Sequence, residues 1–326
     1  MAGSFVISLD FELYWGVFDK LDKEIYGNNI KAVHQIVPKL LDLFDEFEIA
    51  TTWATVGFLL CKNKPELLEL QPKDKPKYSI ESYSSYAHMS NVGIDYLEDP
   101  LHYCGDLIEK ILSYKNQELG SHTFSHYYCL EQGQNEDSFQ ADSIAFNKAA
   151  NKFNVQARSL VFPRNQFNPS YLEISKQNGI LTYRGNQKSW IYKEQSDSKK
   201  NYLKRLCRLL NNYLPLTNDQ SIPKTEIAQS DPINIPATRF LRPYNKRLSF
   251  LEKMRLSRIK NEMTVAAEKG NLYHLWWHPH NFGANQKDNF NFLKELLIHY
   301  QFLNQKFGFK SRNMTQLASE IINERT

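Results

Sequence analysis

Residues 4–12 read SFVISLDFE, a run of β-forming residues that ends in two carboxylates, Asp10 and Glu12. Ser4 to Asp10 predicts a buried strand. From Asn29 the residues Ile30, Val33, Ile36, Val37, Leu40, Leu41 and Phe44 repeat at helical spacing, which predicts a helix after that strand. The pair recurs along the chain. Strands are expected at Ala50–Val56, Glu118–His122, Ser159–Asn165, Ile180–Gly185 and Asn271–Asn281, and helices near Leu101–Tyr114, Asp137–Phe153, Pro169–Lys176, Asp288–Phe307 and Met314–Ile322. Strands alternating with helices over most of a chain indicate parallel βαβ units, either closed as a barrel or open as a doubly wound sheet. No G-x-G-x-x-G follows the first strand, which argues against a dinucleotide site.

Two segments interrupt this rhythm. Residues 65–100, rich in Pro, Lys and Ser and carrying Tyr78, Tyr83, Tyr86 and Tyr96, read as a lid or binding-loop insertion. Residues 187–260 read as a second insertion, with a helix expected over Lys199–Tyr213 and a basic segment at 239–260. Both belong to a single domain spanning 1–326, a length that one elaborated α/β unit reaches with insertions.

The composition excludes several classes. With 41% hydrophobic and 23% charged residues the chain is globular, and 40 basic against 36 acidic residues (net +4) demand no nucleic-acid partner. The short apolar run near the N-terminus lacks a basic flank and a cleavage site, so no signal peptide is expected. The four cysteines Cys61, Cys104, Cys129 and Cys207 form no C-x-x-C pair, consistent with free thiols in a cytoplasmic protein. No stretch is long and apolar enough to predict a membrane span. Eighteen Tyr and 20 Phe are a surplus of rings that would suit the flat apolar faces of a sugar.

The reactive residues fall at predicted strand ends, where parallel α/β folds assemble their sites. Asp10 and Glu12, two apart on an extended chain, can point to one side with backbones about 6.5 Å apart, and paired carboxylates can divide into metal ligand and general base. In GSHTFSH, His122 and His126 are four apart; if the chain turns helical there, both imidazoles share a face and can chelate one cation. His278 follows an apolar strand between Trp277 and Pro279 and suits a general acid, with His274 and His280 at the same period-two parity; His274 also reads as a core histidine. Arg164 can neutralise and orient a carboxylate such as Asp10.

The ordered series SLDFE, GSHTFSH, VFPRN and LWWHPH resembles the motifs of the polysaccharide deacetylase family, the NodB-homology carbohydrate esterases, over Ser8 to His280. The resemblance implies a distorted, incomplete (β/α) barrel with loop insertions. It implies metal-dependent removal of N- or O-acetyl groups from sugars, with Asp10 as general base, Glu12, His122 and His126 as ligands of a divalent metal such as zinc, His278 as general acid and Arg164 as the partner of the base. Two motifs depart from the family pattern: Phe11 separates Asp10 from Glu12 where two aspartates are usually adjacent, so the two carboxylates can exchange roles, and the third motif reads F-P-R-N-Q-F in place of R-x-P-P-Y-G.

Substrate binding in a sugar site would call on Trp15, Trp190, Trp277, His280 and the tyrosines of 65–100. The implied partner is an acetylated sugar of a cell-surface polysaccharide pathway, nucleotide-linked, lipid-linked or oligosaccharide. Two rival readings keep the fold: an amidohydrolase acting on a non-sugar C–N bond, and a non-catalytic member that binds glycan. The basic segment 239–260 reads either as a solvated charged face or as an amphipathic helix lying on the inner face of the membrane.

Overall fold

The computed structural model describes residues 2–189, 207, 211, 213 and 219–325. Its centre is one parallel sheet: β1 (Ser4–Phe11), β2 (Thr51–Thr55), β3 (Gln117–Ser121), β4 (Ser159–Val161), β5 (Thr182–Arg184), β6 (Ile233–Asn234), β7 (Arg239–Phe240), β8 (Leu272–Trp277) and β9 (Lys310–Arg312). The order is β6-β5-β4-β3-β2-β1-β8-β7, and β9 pairs with Ser4–Val6 of β1, below the stretch that β2 covers. The end strands β6 and β7 do not pair. Instead the chain between them crosses the seam: Ile235 N donates to Tyr183 O and Ala237 N to Gly185 O, each at 2.9 Å, and Thr238 N then donates to His274 O at 2.8 Å. The sheet is thus an incomplete (β/α) barrel, as the resemblance implies.

Period-two alternation divides its two faces. From β1, Phe5, Ile7, Leu9 and Phe11 join the outer core with the helix Val33–Glu46, whereas Val6 points inward to a second core of Ala54, Val161, Ile222, Leu272, Leu317 and Ile321. The same inward parity continues upward to Ser8 and Asp10 on β1 and to His274 and Trp276 on β8. The barrel interior is therefore apolar at its N-terminal end and polar at its C-terminal end, where the reactive residues collect.

Local signals shift several expected boundaries. The first helix starts at Lys23 rather than Asn29, because the Asp22 side chain caps it by accepting from Glu24 N at 2.7 Å; it breaks at Ala32 before Val33–Glu46. The strand expected over Ser159–Asn165 ends at Val161, since Pro163 opens a 3-10 turn in which Arg164 and Asn165 are left-handed. Helix Leu101–Tyr114 is realised only at Leu107–Ser113. The helix expected over Lys199–Tyr213, and Trp190, lie outside the described residues apart from 207, 211 and 213.

Residues 65–100 pack against the chain that follows β3. Lys77 N donates to Gly133 O at 2.8 Å, Ser79 N to Gln132 O at 2.9 Å, and the Tyr78 hydroxyl accepts from Tyr128 N at 2.8 Å. In the basic segment, Arg239 and Arg258 pair with Glu262, Arg255 with Glu252 and Lys260 with Glu295. The helix Ser249–Lys269 packs on the helix Gln286–Phe307 and on β8. Much of the charge that suggested a membrane face is spent on these internal pairs. Among the described residues no helix is long and apolar enough to cross a membrane.

Candidate metal centre

Glu12 lies just past β1 and the two histidines lie on the loop after β3. Glu12 Oε2 is 3.2 Å from His126 Nε2 and 3.5 Å from His122 Nε2, and all three side chains are buried. His122 Nδ1 is 2.8 Å from Val161 O; a carbonyl only accepts, so Nδ1 carries the proton and the Nε2 lone pair faces Glu12. That Nε2 is buried with no hydrogen-bond partner. Opposite, Gly16 leaves room for the carboxylate, since a Cβ there would come within 2.3 Å of the Glu12 carboxyl atoms. An orphaned imidazole lone pair beside a second imidazole and a carboxylate is a donor set that suits a divalent cation.

The spacing of His122 and His126 does not come from a helix. Thr123 and His126 have φ of 62° and 56°, a left-handed conformation that costs about 1–3 kcal/mol each and is held in place from outside. Asp142, on the helix Glu136–Asn151, accepts from Phe124 N at 2.6 Å and from Ser125 N at 3.1 Å, while Gly57 N and Phe58 N donate to Thr123 O and Phe124 O at 2.9 and 3.0 Å. Burial pushes the Asp142 carboxyl up to about 6 against these bonds. The loop is thus fastened to the turn that follows β2 and to a helix, and its imidazoles converge at a ring separation of 5.2 Å.

Asp10 sits deeper and belongs to a different partner. Arg184 Nη1 donates to Asp10 Oδ1 at 2.6 Å and Nη2 to Oδ2 at 2.8 Å, and Nη1 also donates to Ser8 Oγ at 3.0 Å. Burial raises the Asp10 pKa, but the Arg184 charge, with His122 and His278 behind it, outweighs burial and holds the carboxyl below the usual carboxylate range. The same contest runs at Glu12: burial raises its pKa, but the His278 charge and the adjacent His122 and His126 imidazoles outweigh it and hold the carboxyl well below that range. Both groups are anionic at neutral pH. Replacing Arg184 with Met should leave a buried charge unpaired and cost about 3–5 kcal/mol. Urea unfolding would show this as a large drop in midpoint at unchanged slope; a midpoint within error of wild type would mean that Asp10 finds its counter-charge elsewhere.

His278, at the end of β8 with its side chain 23% exposed, is the open side of the site. Its Nε2 is 3.6 Å from Glu12 Oε1 and 3.8 Å from Asp10 Oδ2, and its Nδ1 is 3.3 Å from Asn281 Oδ1. His280 stacks under it, with centroids 4.9 Å apart; burial and the neighbouring His278 charge push its pKa down to about 3. His274 is a satisfied core histidine, bonded to Ser8 Oγ at 2.8 Å and Ile235 O at 3.1 Å, and burial with the Arg184 charge takes it down to about 3 as well.

Four expected site residues stand elsewhere. Arg164 pairs with Asp19 and lies 4.5 Å over the Tyr128 ring, whose centroid is 5.3 Å from that of His126. The counter-ion of Asp10 is Arg184, which reaches it across the barrel. Trp277 is fully enclosed in the outer core, because its parity on β8 is opposite to that of His278. Trp276 faces inward instead, 4.2 Å from the Arg184 guanidinium and 4.7 Å from Phe240. Trp15 is enclosed too, its indole N–H donating to His102 O at 2.8 Å. His280 is buried under His278 and offers no open face.

No family model matches the sequence, and no curated protein matches it. Solved structures do match along the whole chain. A Mycobacterium smegmatis protein described as a polysaccharide deacetylase superimposes with TM-score 0.61 at 11% identity, over 99% of this chain and 91% of its own. A Pseudomonas aeruginosa PAO1 protein described in the same way gives 0.57 at 11% identity over 98% and 90%. Puue allantoinase gives 0.54 at 10% identity over 97% and 88%. By these likenesses the chain has the fold of the polysaccharide deacetylases.

Proposed function

We propose that this chain is a metal-dependent hydrolase that removes an N-acetyl or O-acetyl group from a sugar of a cell-surface polysaccharide pathway. The observation that carries the reading is the Glu12 carboxylate set between the Nε2 atoms of His122 and His126, with Asp10 and His278 on its flanks. A divalent ion held by those three residues, zinc by the chemistry of the donors, would supply Lewis-acid polarisation of the acetyl carbonyl and acidify a water. Asp10, kept ionised and oriented by Arg184, accepts the proton of the attacking water. His278 Nε2, at the open side, gives its proton to the nitrogen as the C–N bond breaks, and Asn281 fixes the ring. Buried His274 and His280 hold the surrounding geometry.

His278→Ala is expected to lower kcat on an N-acetyl substrate by about a hundredfold or more with KM nearly unchanged, because the leaving nitrogen needs its proton only in the transition state. An O-acetyl ester of the same sugar should lose less, since an alkoxide leaves more readily than an amine. Equal losses on both substrates, measured by steady-state acetate release, would remove the acid role from His278.

One observation favours a second reading. With Trp15 and Trp277 enclosed, the aromatic wall near His278 is Trp276 with Phe240, a small platform for a sugar, and the same donor set can hydrolyse a ureide or cyclic amide of the kind named for the allantoinase. Side-by-side assays on an N-acetylhexosamine and on allantoin separate the two readings.

A further inference from the structure

The two imidazoles of the metal centre differ on their far sides. His122 Nδ1 donates to Val161 O at 2.8 Å, so the place of its proton is fixed. His126 Nδ1 is buried and has no hydrogen-bond partner among the described residues, although Nε2 of the same ring faces Glu12 Oε2 at 3.2 Å. For that Nε2 to hold a cation the ring proton has to sit on Nδ1, and a buried N–H needs an acceptor.

A matching acceptor stands beside the centre. The Asp19 side chain is wholly enclosed; Arg164 Nη2 donates to its Oδ1, and its Oδ2 is buried with no hydrogen-bond partner among the described residues. Arg164 ties this carboxylate to the metal site. The same Nη2 donates to Gly16 O at 3.4 Å, and Gly16 is the residue that makes room for the Glu12 carboxylate. The guanidinium also lies 4.5 Å from the centroid of the Tyr128 ring, which is itself 5.3 Å from that of His126. Burial pushes the Asp19 carboxyl up, and the charges that pull against it are first that of Arg164 and then that of His126, so carboxyl and imidazole lie within electrostatic reach of each other.

We infer that Asp19 is a positioning residue of the metal site: His126 Nδ1–H donates to one bridging water, that water donates to Asp19 Oδ2, and the Nε2 lone pair is thereby kept toward the cation. The inference rests on the metal-dependent reading of Glu12, His122 and His126. A buried donor and a buried acceptor that do not bond each other are both satisfied by one water between them. Arg164, which does not reach Asp10, has its use here: it occupies Oδ1 and leaves Oδ2 for the ring. The two ligands are then oriented by different chemistry, His122 by a neutral carbonyl and His126 by a carboxylate, which also makes the imidazole the more basic ligand.

The test compares the wild-type chain with Asp19→Ala and Asp19→Asn, each stripped of metal and checked for folding by a thermal melt. Zinc affinity, read by competition with a chelating dye, is expected to fall about 10–100-fold in both variants. The amide is the sharper probe. It keeps the volume, but with its oxygen on Arg164 it turns an NH2 toward the ring, donor against donor. Nitrogen-15 NMR of the zinc-loaded wild type should show solvent-protected Nδ1–H signals for both His122 and His126, and the variants should lose protection at His126 alone. If the Asp19–Arg164 pair served stability only, the variants would melt earlier with zinc affinity and the His126 signal unchanged, and the inference would be overturned. A zinc-loaded wild type without a protected Nδ1–H on His126 overturns it as well, and that measurement requires no variant to fold. A wild-type chain that takes up no zinc would refute the metal site itself, a failure distinct from zinc binding that Asp19 does not influence.

Discussion

Replacing His122 and His126 together with Ala is expected to remove stoichiometric metal and, with it, measurable turnover. The two imidazoles supply two of the three proposed ligands, and among the described residues neither has a neighbour placed to take over: His278 Nε2 faces the other oxygen of Glu12 and the flank of Asp10, and His274 and His280 are committed to the core. Glu12 alone, a single buried carboxylate, is a poor site for a borderline cation. The variant also loses the two imidazoles that help to hold the Glu12 carboxyl down, so burial regains weight and part of the stability at neutral pH should go with the metal. Elemental analysis of the dialysed protein, alongside a thermal melt, reads both effects. A folded double variant with wild-type metal content would refute the ligand set.

Asp10→Asn is expected to lower turnover by as much as about 10⁴-fold while metal binding persists, because an amide fills the same volume and cannot take a proton from water. The geometry distinguishes the two carboxylates that the sequence leaves interchangeable: Glu12 faces the His122 and His126 lone pairs, whereas both oxygens of Asp10 are occupied by Arg184. Loss of metal together with activity would reverse that assignment and make Glu12 the base. A melt is needed here too, since the amide satisfies only one side of the Arg184 fork.

The parts of this site that were legible in the sequence depend on strand ends and strand parity. Asp10 and Glu12 share a side because they are two residues apart as the chain leaves β1, and His122 and His278 close strands of the same sheet. Parity also tells Trp276 from Trp277, since adjacent residues cannot both face inward and His274 and His278 share the parity of Trp276. Arg184 was less accessible. It ends β5, as Arg164 follows β4, and only the curl of the sheet decides which guanidinium reaches across to β1. The left-handed Thr123 and His126 were not legible either, because what holds them is distant: Asp142 on one side and the backbone of Gly57 and Phe58 on the other. The two-residue strands β6 and β7 carry no period of their own, and their place is set by the seam that they leave open.

On the proposed reading, the Glu12, His122 and His126 group serves hydrolysis of an acetyl group from a sugar. Acetate release from N-acetylated and O-acetylated hexosamines, measured on the chain stripped of metal and again after one equivalent of zinc is restored, tests it most directly. No release is expected from the stripped chain, and recovery should saturate near one ion per chain. Release that survives complete metal removal, or a reconstituted chain that opens allantoin and leaves every acetylated sugar intact, would contradict it.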